Sequence, residues 1–484
     1  MPPLDVVVVG GGITGLGIAR LAARNGLSVA LLERGDLASG ASSATSHMLH
    51  GGLRYLEHGH FSLVREALHE RSAVGRMAPD LVRPTRFLIP FYRGDRRNRW
   101  KVRLGLAVYD AFAGRSRLAP HAAVRAAEAL RLEPELNPEG LVGAGLYSDT
   151  VMDDARLAVA VARDAAHHGA RISTYTEVLG LRPAEDAAVE LLARDRLEGA
   201  ERRLVARTVI NATGAWADEM RTTLLRALRP GTADPIPILR PSRGVHLVFP
   251  ALTRGHGVLL FARADDRPFF VVPFGEHSLV GTTEVEVSSP PDPDALQPSV
   301  DEIRYLRDEL RQALPSPAAL PVIAITAGLR PLFASTGGVG TMSREHRVVE
   351  DGPIFTVVGG KYTTFRVMAR DALSHVVRAI RRANVTLRDP ADPLPTPPAA
   401  GQTIEGLTEH AADAAFARRV EDVVRRRSRL WLSPDRGRVA APRVAATLAQ
   451  RLGWSPERMR DELQSFLAAL EREDRLLRGS REGA

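Results

Sequence analysis

The sequence predicts an α/β protein with three parts: a parallel, doubly wound sheet, an antiparallel β-sheet domain set over it, and a small C-terminal α-helical domain. Three observations carry this. Residues 4–33 read as strand, glycine turn, helix, strand, acid. Residues 236–290 alternate short apolar runs with turns (PIPILRPSRGVHLVFP, GVLLFARADDRPFFVVPF, HSLVGTTEVEV), the pattern of an antiparallel sheet. The Pro-rich stretch TLRDPADPLPTPPAAG, 387–402, precedes an Arg-rich segment of helical periodicity that runs to the end.

The first element is the most informative. Leu4 to Val9 is a short β-branched run, as a buried strand requires. Gly10 makes the tight turn, Gly12 lets backbone approach a pyrophosphate, and Gly15 allows close helix–strand packing; Ile13 and Thr14 between them are further candidate cofactor contacts, and an apolar helical pattern follows through Ile18, Leu21 and Ala22. The helix N-terminus presents unpaired N–H groups and a partial positive charge to that pyrophosphate. Asn25-Gly26 ends the helix, since both residues tolerate positive φ. A second apolar run, Leu27 to Leu32, ends at Glu33, placed to accept from ribose hydroxyls. The context makes this a Rossmann-type dinucleotide site. The acid argues against a 2′-phosphate, an argument that Arg34 beside it weakens slightly. The next segment, ASGASSATS at 38–46, is all small, as backbone lying against a flat ligand would be. It includes Ser42, Ser43 and Ser46 and favours FAD over NAD.

A chain of 484 residues holds two or three domains and a large core. The net charge of +8 permits an anionic substrate, an anionic membrane surface or nucleic acid, and equally an Arg-rich proteome with no such partner. No nucleic-acid-binding signature is present. The absence of cysteine excludes disulfides, Cys-based zinc sites and a redox Cys pair, and points to a cytoplasmic compartment. No metal site is expected. Asp5 interrupts the N-terminal apolar run, and no stretch of about 20 uncharged apolar residues exists, so neither a signal peptide nor a spanning helix is expected.

Phe61 to Met77 has helical spacing. From Arg93 to Arg103 six Arg or Lys stand against Asp95, with Trp100 inside the run and Leu104, Leu106, Val108, Tyr109 and Phe112 after it. This suits a membrane surface with anionic lipid, or a solvated basic face over a core helix. Asp153 or Asp154 caps the next helix. Strands at 172–180, 187–194 and 203–211 lead into NATGAWAD, whose Ala212, Thr213, Gly214 and Trp216 form another small-residue approach to a dinucleotide. A surface loop, 288–299, precedes a helix at 300–314. Near the end of the α/β part, IFTVVGGKYTTF reads as a buried strand, Gly359-Gly360, and a helix starting near Tyr362. Such a helix would set its positive end beside the flavin pyrimidine, where charge collects on reduction.

The motifs ASSATSHMLHGGLRYLE, MDDARL, NATGAWAD, GTTEVE, AGLRPL and GGKYTTFR, in this order over essentially the whole chain, resemble the FAD-dependent glycerol-3-phosphate dehydrogenases. The resemblance implies FAD in a Rossmann-type domain under an antiparallel substrate domain. It implies oxidation of sn-glycerol 3-phosphate to dihydroxyacetone phosphate by hydride transfer from C2 to flavin N5, with electrons passed to membrane quinone. It also implies peripheral attachment to the inner face of the cytoplasmic membrane; a homodimer is compatible. Three departures from the family pattern stand at His47, at Arg243-Gly244-Val245-His246 and at Glu284. The expected FAD-binding domain comprises 1–80, 145–225 and 320–386, and the substrate domain 81–144 and 226–319; the linker is 387–402 and the helical domain 403–484.

A phosphate of charge near −2 calls for Arg, whose planar fork binds its oxygens bidentately. Arg54, Arg330, Arg344 and Lys361 are the cation candidates: Arg330 and Arg344 for phosphate, Arg54 and Lys361 for the reacting end. Tyr55 and Thr282 or Thr283 would orient hydroxyls. His50 is the candidate base, since an imidazole of ordinary pKa, about 6.5, suits proton transfer near neutrality; packing against the flavin is its other reading. Around the cofactor, Gly51, Gly52, Gly360, Lys361, Tyr362 and Thr363 join His50 and Arg330. The alternatives are a related oxidase, of glycerophosphate or of an amino acid such as glycine, that makes hydrogen peroxide, and a flavin-binding protein without turnover.

Overall fold

The computed structural model describes residues 2–57, 59–96, 98–334, 345–382, 385–395 and 403–480. The valine run forms strand Leu4–Val9, with Val6, Val7 and Val8 fully buried. It lies in an eight-stranded sheet whose spine runs His346–Asp351, Ile354–Gly359, Glu201–Asn211, Leu4–Val9, Val29–Leu32, Arg171–Ser173. From Ile354–Gly359 to Arg171–Ser173 all neighbours pair in parallel. Both faces are covered. Helices Ile13–Arg24, Asp154–His167 and Phe365–Ala379 pack on one through Leu16, Val161 and Leu373. Leu191, Val209 and Leu224 fill the other. Covered faces explain why these strands read as continuous apolar runs rather than alternating ones.

The chain leaves Leu4–Val9 first toward Val29–Leu32 and later returns on its other side as Glu201–Asn211. This reversal is the switch point at which open α/β sheets bind ligands, beyond the carboxyl ends of the strands. At the end of helix Ile13–Arg24 only Gly26 takes positive φ, at +72°. Asn25 stays at negative φ and caps instead with its side-chain amide, which donates to the Leu21 carbonyl at 2.8 Å. Asp153 is the residue that caps helix Asp154–His167, accepting from the Arg156 N–H.

The second sheet has ten strands in the order Val285–Glu286, Ser242–Pro250, His277–Gly281, Pro268–Phe274, Gly257–Phe261, Val82–Tyr92, Leu141–Met152, Met48–Leu49, with Ala324–Arg330 and Ala122–Arg125 at its sides. It is antiparallel except where Gly257–Phe261 runs parallel to Val82–Tyr92. Three of its strands lie wholly or mostly in the stretches expected in the first domain: Met48–Leu49, Leu141–Met152 and Ala324–Arg330. Leu141–Met152 pairs with Val82–Tyr92 from Val82↔Met152 to Tyr92↔Leu141, so it stays in the second sheet along its length. Ala324–Arg330 pairs with Ser242–Pro250 from Val248↔Ala324 to Ser242↔Arg330. Arg330 therefore enters from the second sheet. Helix Val300–Ala313, closed by a Ser299/Glu302 capping box, packs Ile303, Leu306 and Leu310 with the apolar side chains Val245, Leu247 and Phe249.

The C-terminal segment is helical: Ile404–Ala414, Ala441–Leu452 and Pro456–Gly479 share a core of Val444, Leu448, Phe466 and Leu470. The Pro-rich stretch is not a free linker over its described part, 387–395. Leu394 is buried and its N–H donates to the Met77 carbonyl at 2.7 Å. Asp389 accepts from Arg20 at 2.7 Å and from Arg366 at 2.9 Å. The helical domain is tied to the first sheet by buried charge: Arg426 and Arg427 both bind Asp36, and Asp422 accepts from Arg426 and from the Tyr175 hydroxyl. Burial pushes the Asp36 carboxyl up, but the Arg427 and Arg426 guanidiniums outweigh it and hold it below the usual carboxylate range.

Candidate active site

A cavity of about 1270 Å³ opens at the switch point and runs under the second sheet. It exceeds the roughly 300–1000 Å³ of ordinary ligand sites, as a dinucleotide plus a second small molecule would require. Its floor is the glycine turn. Gly10 holds φ +109°, and a Cβ there would lie 2.6 Å from the Ala212 carbonyl oxygen. A Cβ on Gly15 would lie 2.0 Å from the Gly10 oxygen, so the helix abuts the turn only because both are glycine. Gly12 begins helix Ile13–Arg24 with no side-chain cap. The helix's Ile13 N–H donates to the Ser42 hydroxyl at 2.9 Å, which pins the small-residue segment across the helix end.

Glu33 accepts from the N–H groups of Gly11 at 2.6 Å and Gly35 at 2.7 Å. Burial raises its pKa, and these two amides oppose the rise. Each carboxylate oxygen keeps a second lone pair for a ribose hydroxyl. Arg34 also lines the cavity, with its guanidinium 3.2 Å from Asp292 and 3.8 Å from Asp294. Those acids disfavour a 2′-phosphate there. Ala212, Thr213, Gly214 and Trp216 line the same end. These features fit a bound dinucleotide: a helix end whose N-cap Gly12 supplies no side-chain cap, an acid beside it and glycines where a Cβ would intrude.

At the other end stand His50, Gly52, Tyr55, Thr282, Arg330, Gly360, Lys361, Tyr362 and Thr363, all lining the cavity. Arg330 donates to the Thr282 hydroxyl at 2.7 Å and to the Thr283 carbonyl at 3.1 Å. The Lys361 ammonium lies 3.6 Å from the centre of the Tyr55 ring, a cation–π contact. Gly52, at φ +81°, lets that ring approach: a Cβ there would lie 2.2 Å from it. The short turn Tyr362–Thr364 precedes helix Phe365–Ala379, so the α-helix itself starts three residues after Tyr362. Tyr362 donates its hydroxyl to the Asp154 carbonyl at 2.6 Å and so anchors the Gly359–Thr363 turn.

Several expected residues stand elsewhere. Thr283 is buried: its hydroxyl donates to Glu302 at 2.8 Å and accepts the Val245 N–H at 3.0 Å. Of the two threonines only Thr282 reaches the wall. Gly15, Ser43 and Gly51 also lie outside the lining. Ser46 lines it, bonded to His246 at 2.8 Å. Arg344 lies outside the described residues, as does the side chain of Arg54, whose backbone is in the short helix Arg54–Glu57. The departures sort by direction. His47 is buried, 3.5 Å from Asp154 and packed on Phe274, and Val245 is fully buried in the core. Gly244, His246 and Glu284 line the cavity.

Sequence reasoning missed Gly11 and Asp149, and it marked Gly244 and His246 only as part of a departure from the family pattern, without a role. Gly11 is required because a Cβ would lie 2.9 Å from the Glu33 side chain. Gly244 leaves room for Arg330, whose Nη2 would meet a Cβ at 2.2 Å. His246 lies on the same face two residues on, and burial first, then the Arg330 charge, push its pKa down to about 3. The period of two along strand Ser242–Pro250 is the signal that pairs Gly244 with His246 and turns Val245 away.

The family model for FAD dependent oxidoreductases matches residues 5–364. "Glycerol-3-phosphate dehydrogenase 2" of Mycobacterium tuberculosis is 34% identical, the match covering 97% of this chain and 88% of that protein. "Glycerol-3-phosphate dehydrogenase 1" of the same organism is 37% identical, over 90% of this chain and 93% of that one. The crystal structure of the glycerol-3-phosphate dehydrogenase from Bacillus halodurans complexed with FAD shares the fold, with a TM-score of 0.76 at 22% identity over 98% of this chain and 95% of that one. Its switch-point cradle, its motifs and these matches agree: the chain is an enzyme of the FAD-dependent oxidoreductase family and belongs, within it, to the glycerol-3-phosphate dehydrogenases.

Proposed function

We propose that the enzyme oxidises sn-glycerol 3-phosphate to dihydroxyacetone phosphate and passes the electrons to membrane quinone. The observation that carries this reading is the pairing of an anchored guanidinium and an ammonium, Arg330 and Lys361, in one cavity with the dinucleotide cradle. FAD, when bound, supplies the two-electron acceptor for the C2 hydride at its N5. Arg330 binds the phosphate, its planar fork oriented by Thr282. Arg344 is proposed as a second phosphate ligand. Lys361 and Arg54 neutralise charge at the reacting end, and Tyr55 and Thr282 orient the hydroxyls. His50 takes the C2 hydroxyl proton. Gly10, Gly12, Ile13, Thr14, Glu33, Ser42 and the Ala212–Trp216 segment hold the dinucleotide.

Helix Arg99–Ala113 supports attachment to an anionic membrane surface. It buries Leu106, Tyr109 and Ala113 and turns Trp100 and Leu104 outward, 59% and 67% exposed. Arg99 and Arg103 lie over the Trp100 ring, and half-exposed Phe61 packs on Phe112 of the helix. Apolar side chains ringed by cations are what a headgroup layer accepts. Lys101, Val102, Leu104 and Val108 of this helix also line the cavity, so an apolar acceptor would reach it from that surface. Among the described residues no helix is long and apolar enough to cross a membrane.

Anaerobic addition of glycerol 3-phosphate to the FAD-loaded protein tests the reading. Bleaching of the flavin absorbance, reversed by a quinone analogue faster than by oxygen, is the expected result. No bleaching refutes the substrate, and faster reoxidation by oxygen with peroxide release refutes the acceptor.

A further inference from the structure

The His50–Gly52 turn meets the cavity through His50 and Gly52, while Gly51 faces the other way. Behind it lies a buried relay that the reaction as described does not use. The Gly51 N–H donates to the Tyr109 hydroxyl oxygen at 2.7 Å. The Tyr109 O–H donates to Asp149 Oδ2 at 2.7 Å. Asp149 Oδ1 accepts from Arg71 Nη1 at 2.8 Å, and Arg71 is steadied by the carbonyls of Ser148 at 3.3 Å and Ser116 at 2.9 Å. Tyr109, Asp149 and Arg71 are 1%, 2% and 2% exposed.

The relay joins three elements: helix Arg99–Ala113 brings Tyr109, helix Phe61–Met77 brings Arg71, and strand Leu141–Met152 brings Asp149. The contact at Gly51 is close. A Cβ there would lie 2.7 Å from the Tyr109 oxygen and 2.7 Å from Leu68. A buried phenol that accepts from a backbone amide and donates to a paired carboxylate uses both capacities of its oxygen, and a phenyl ring supplies neither. Burial and the Asp149 charge hold the Tyr109 pKa well above its usual value, so the O–H stays a donor at working pH.

We propose that Tyr109 is a positioning residue: its hydroxyl, fixed by Asp149 and Arg71, holds the Gly51 amide and thereby sets how His50 and Gly52 present themselves to flavin and substrate. The inference rests on the FAD and substrate reading above. Removing the phenol oxygen leaves the Gly51 N–H with the Asp149 carboxylate as its remaining partner, and the turn shifts toward it.

The test compares Tyr109→Phe with Leu68→Ala, which empties the other side of the same contact but keeps the hydrogen bond. Deuterium exchange is read on peptides spanning 48–56 in the FAD-loaded protein and in the flavin-stripped full chain. Anaerobic bleaching by glycerol 3-phosphate is read beside it. Tyr109→Phe should exchange about tenfold faster at the Gly51 amide and bleach about tenfold more slowly at saturation, with KM within about threefold of wild type. Leu68→Ala should keep bleaching within about threefold. Wild-type exchange at residues 50–52 in Tyr109→Phe overturns the proposal, even for a variant that loses FAD. So does equal slowing by Leu68→Ala. Should glycerol 3-phosphate fail to bleach the wild type, the substrate reading falls, and exchange still decides whether Tyr109 holds the turn.

Discussion

If Arg330 holds the phosphate as proposed, Gly244 is the position at which one added carbon separates substrate binding from cofactor binding. A methyl there would lie 2.2 Å from Arg330 Nη2 and 2.6 Å from the Thr282 hydroxyl. To reach ordinary contact at 3.4 Å the guanidinium must retreat by about 1.2 Å. It is the far end of a flexible side chain, so Gly244→Ala folds, but the 2.7 Å bond from Arg330 to Thr282 is given up. Displacing a binding group by about 1 Å costs roughly 10²-fold, or about 2.7 kcal/mol, which agrees with the ~1.5–3 kcal/mol of one charge-assisted hydrogen bond. Gly244→Ala should therefore raise KM for glycerol 3-phosphate about 100-fold and leave FAD content unchanged. Dye-coupled steady-state kinetics on the FAD-loaded variant, with flavin stoichiometry from absorbance, reads both quantities. A KM within threefold of wild type at full FAD content would show that Arg330 does not hold the phosphate.

Glu33→Gln should weaken FAD about tenfold, since one of the Gly11 and Gly35 amides then meets a neutral acceptor and the other an NH2 donor; fluorescence titration of the flavin-stripped chain reads it, and an unchanged Kd counts against Glu33 as the ribose anchor. Arg427→Met leaves Asp36 buried with Arg426 alone and should cost about 3–5 kcal/mol in urea unfolding followed by a probe in the C-terminal helices; a loss under about 1 kcal/mol contradicts the tie. His246 is kept neutral in the fold with a pKa near 3, while the unfolded imidazole protonates near 6.5, so the unfolded chain binds more protons between those values. Stability is complete above about 6.5 and falls as pH drops toward 3, by at most about 1.4 kcal/mol per unit; His246→Gln should flatten that part of the slope, and identical slopes refute it. Trp100→Ser with Leu104→Ser should abolish sedimentation with vesicles containing anionic lipid, and undiminished binding would leave helix Arg99–Ala113 as a solvated basic face.

What could be read from the sequence was local. The cradle of Gly10, Gly12, Gly15 and Glu33 lies within one βαβ unit, where each residue's part follows from turn geometry and helix termini. Helix Phe61–Met77 has the bounds its periodicity implies. Sheet membership was not legible, because it depends on partners distant in the chain. Leu141–Met152 and Ala324–Arg330 look like any buried strand, and only their registers with Val82–Tyr92 and Ser242–Pro250 assign them to the second sheet. The prolines near residue 390 suggested a spacer. Asp389 instead meets Arg20 and Arg366, two cations whose exposure the sequence does not reveal.

The same distinction runs through the site and has a mechanistic consequence. The dinucleotide cradle comes from the first sheet, and Arg330 and Thr282 come from strand Ala324–Arg330 and the end of His277–Gly281 in the second. Lys361 returns from the first sheet, on the turn after Ile354–Gly359, and meets Tyr55 across the cavity. The cations therefore converge only because the two sheets are docked. Among the described residues, Ser46 bonded to His246 and the Trp216 indole N–H donating to the Pro291 carbonyl at 2.8 Å are two of the seams between them. A change in either seam moves cations relative to the cradle without touching the glycine turn. On the proposed reading, phosphate affinity depends on Arg330 of the second sheet and cofactor retention on the first, so a variant that loses one while keeping the other identifies which part it has disturbed.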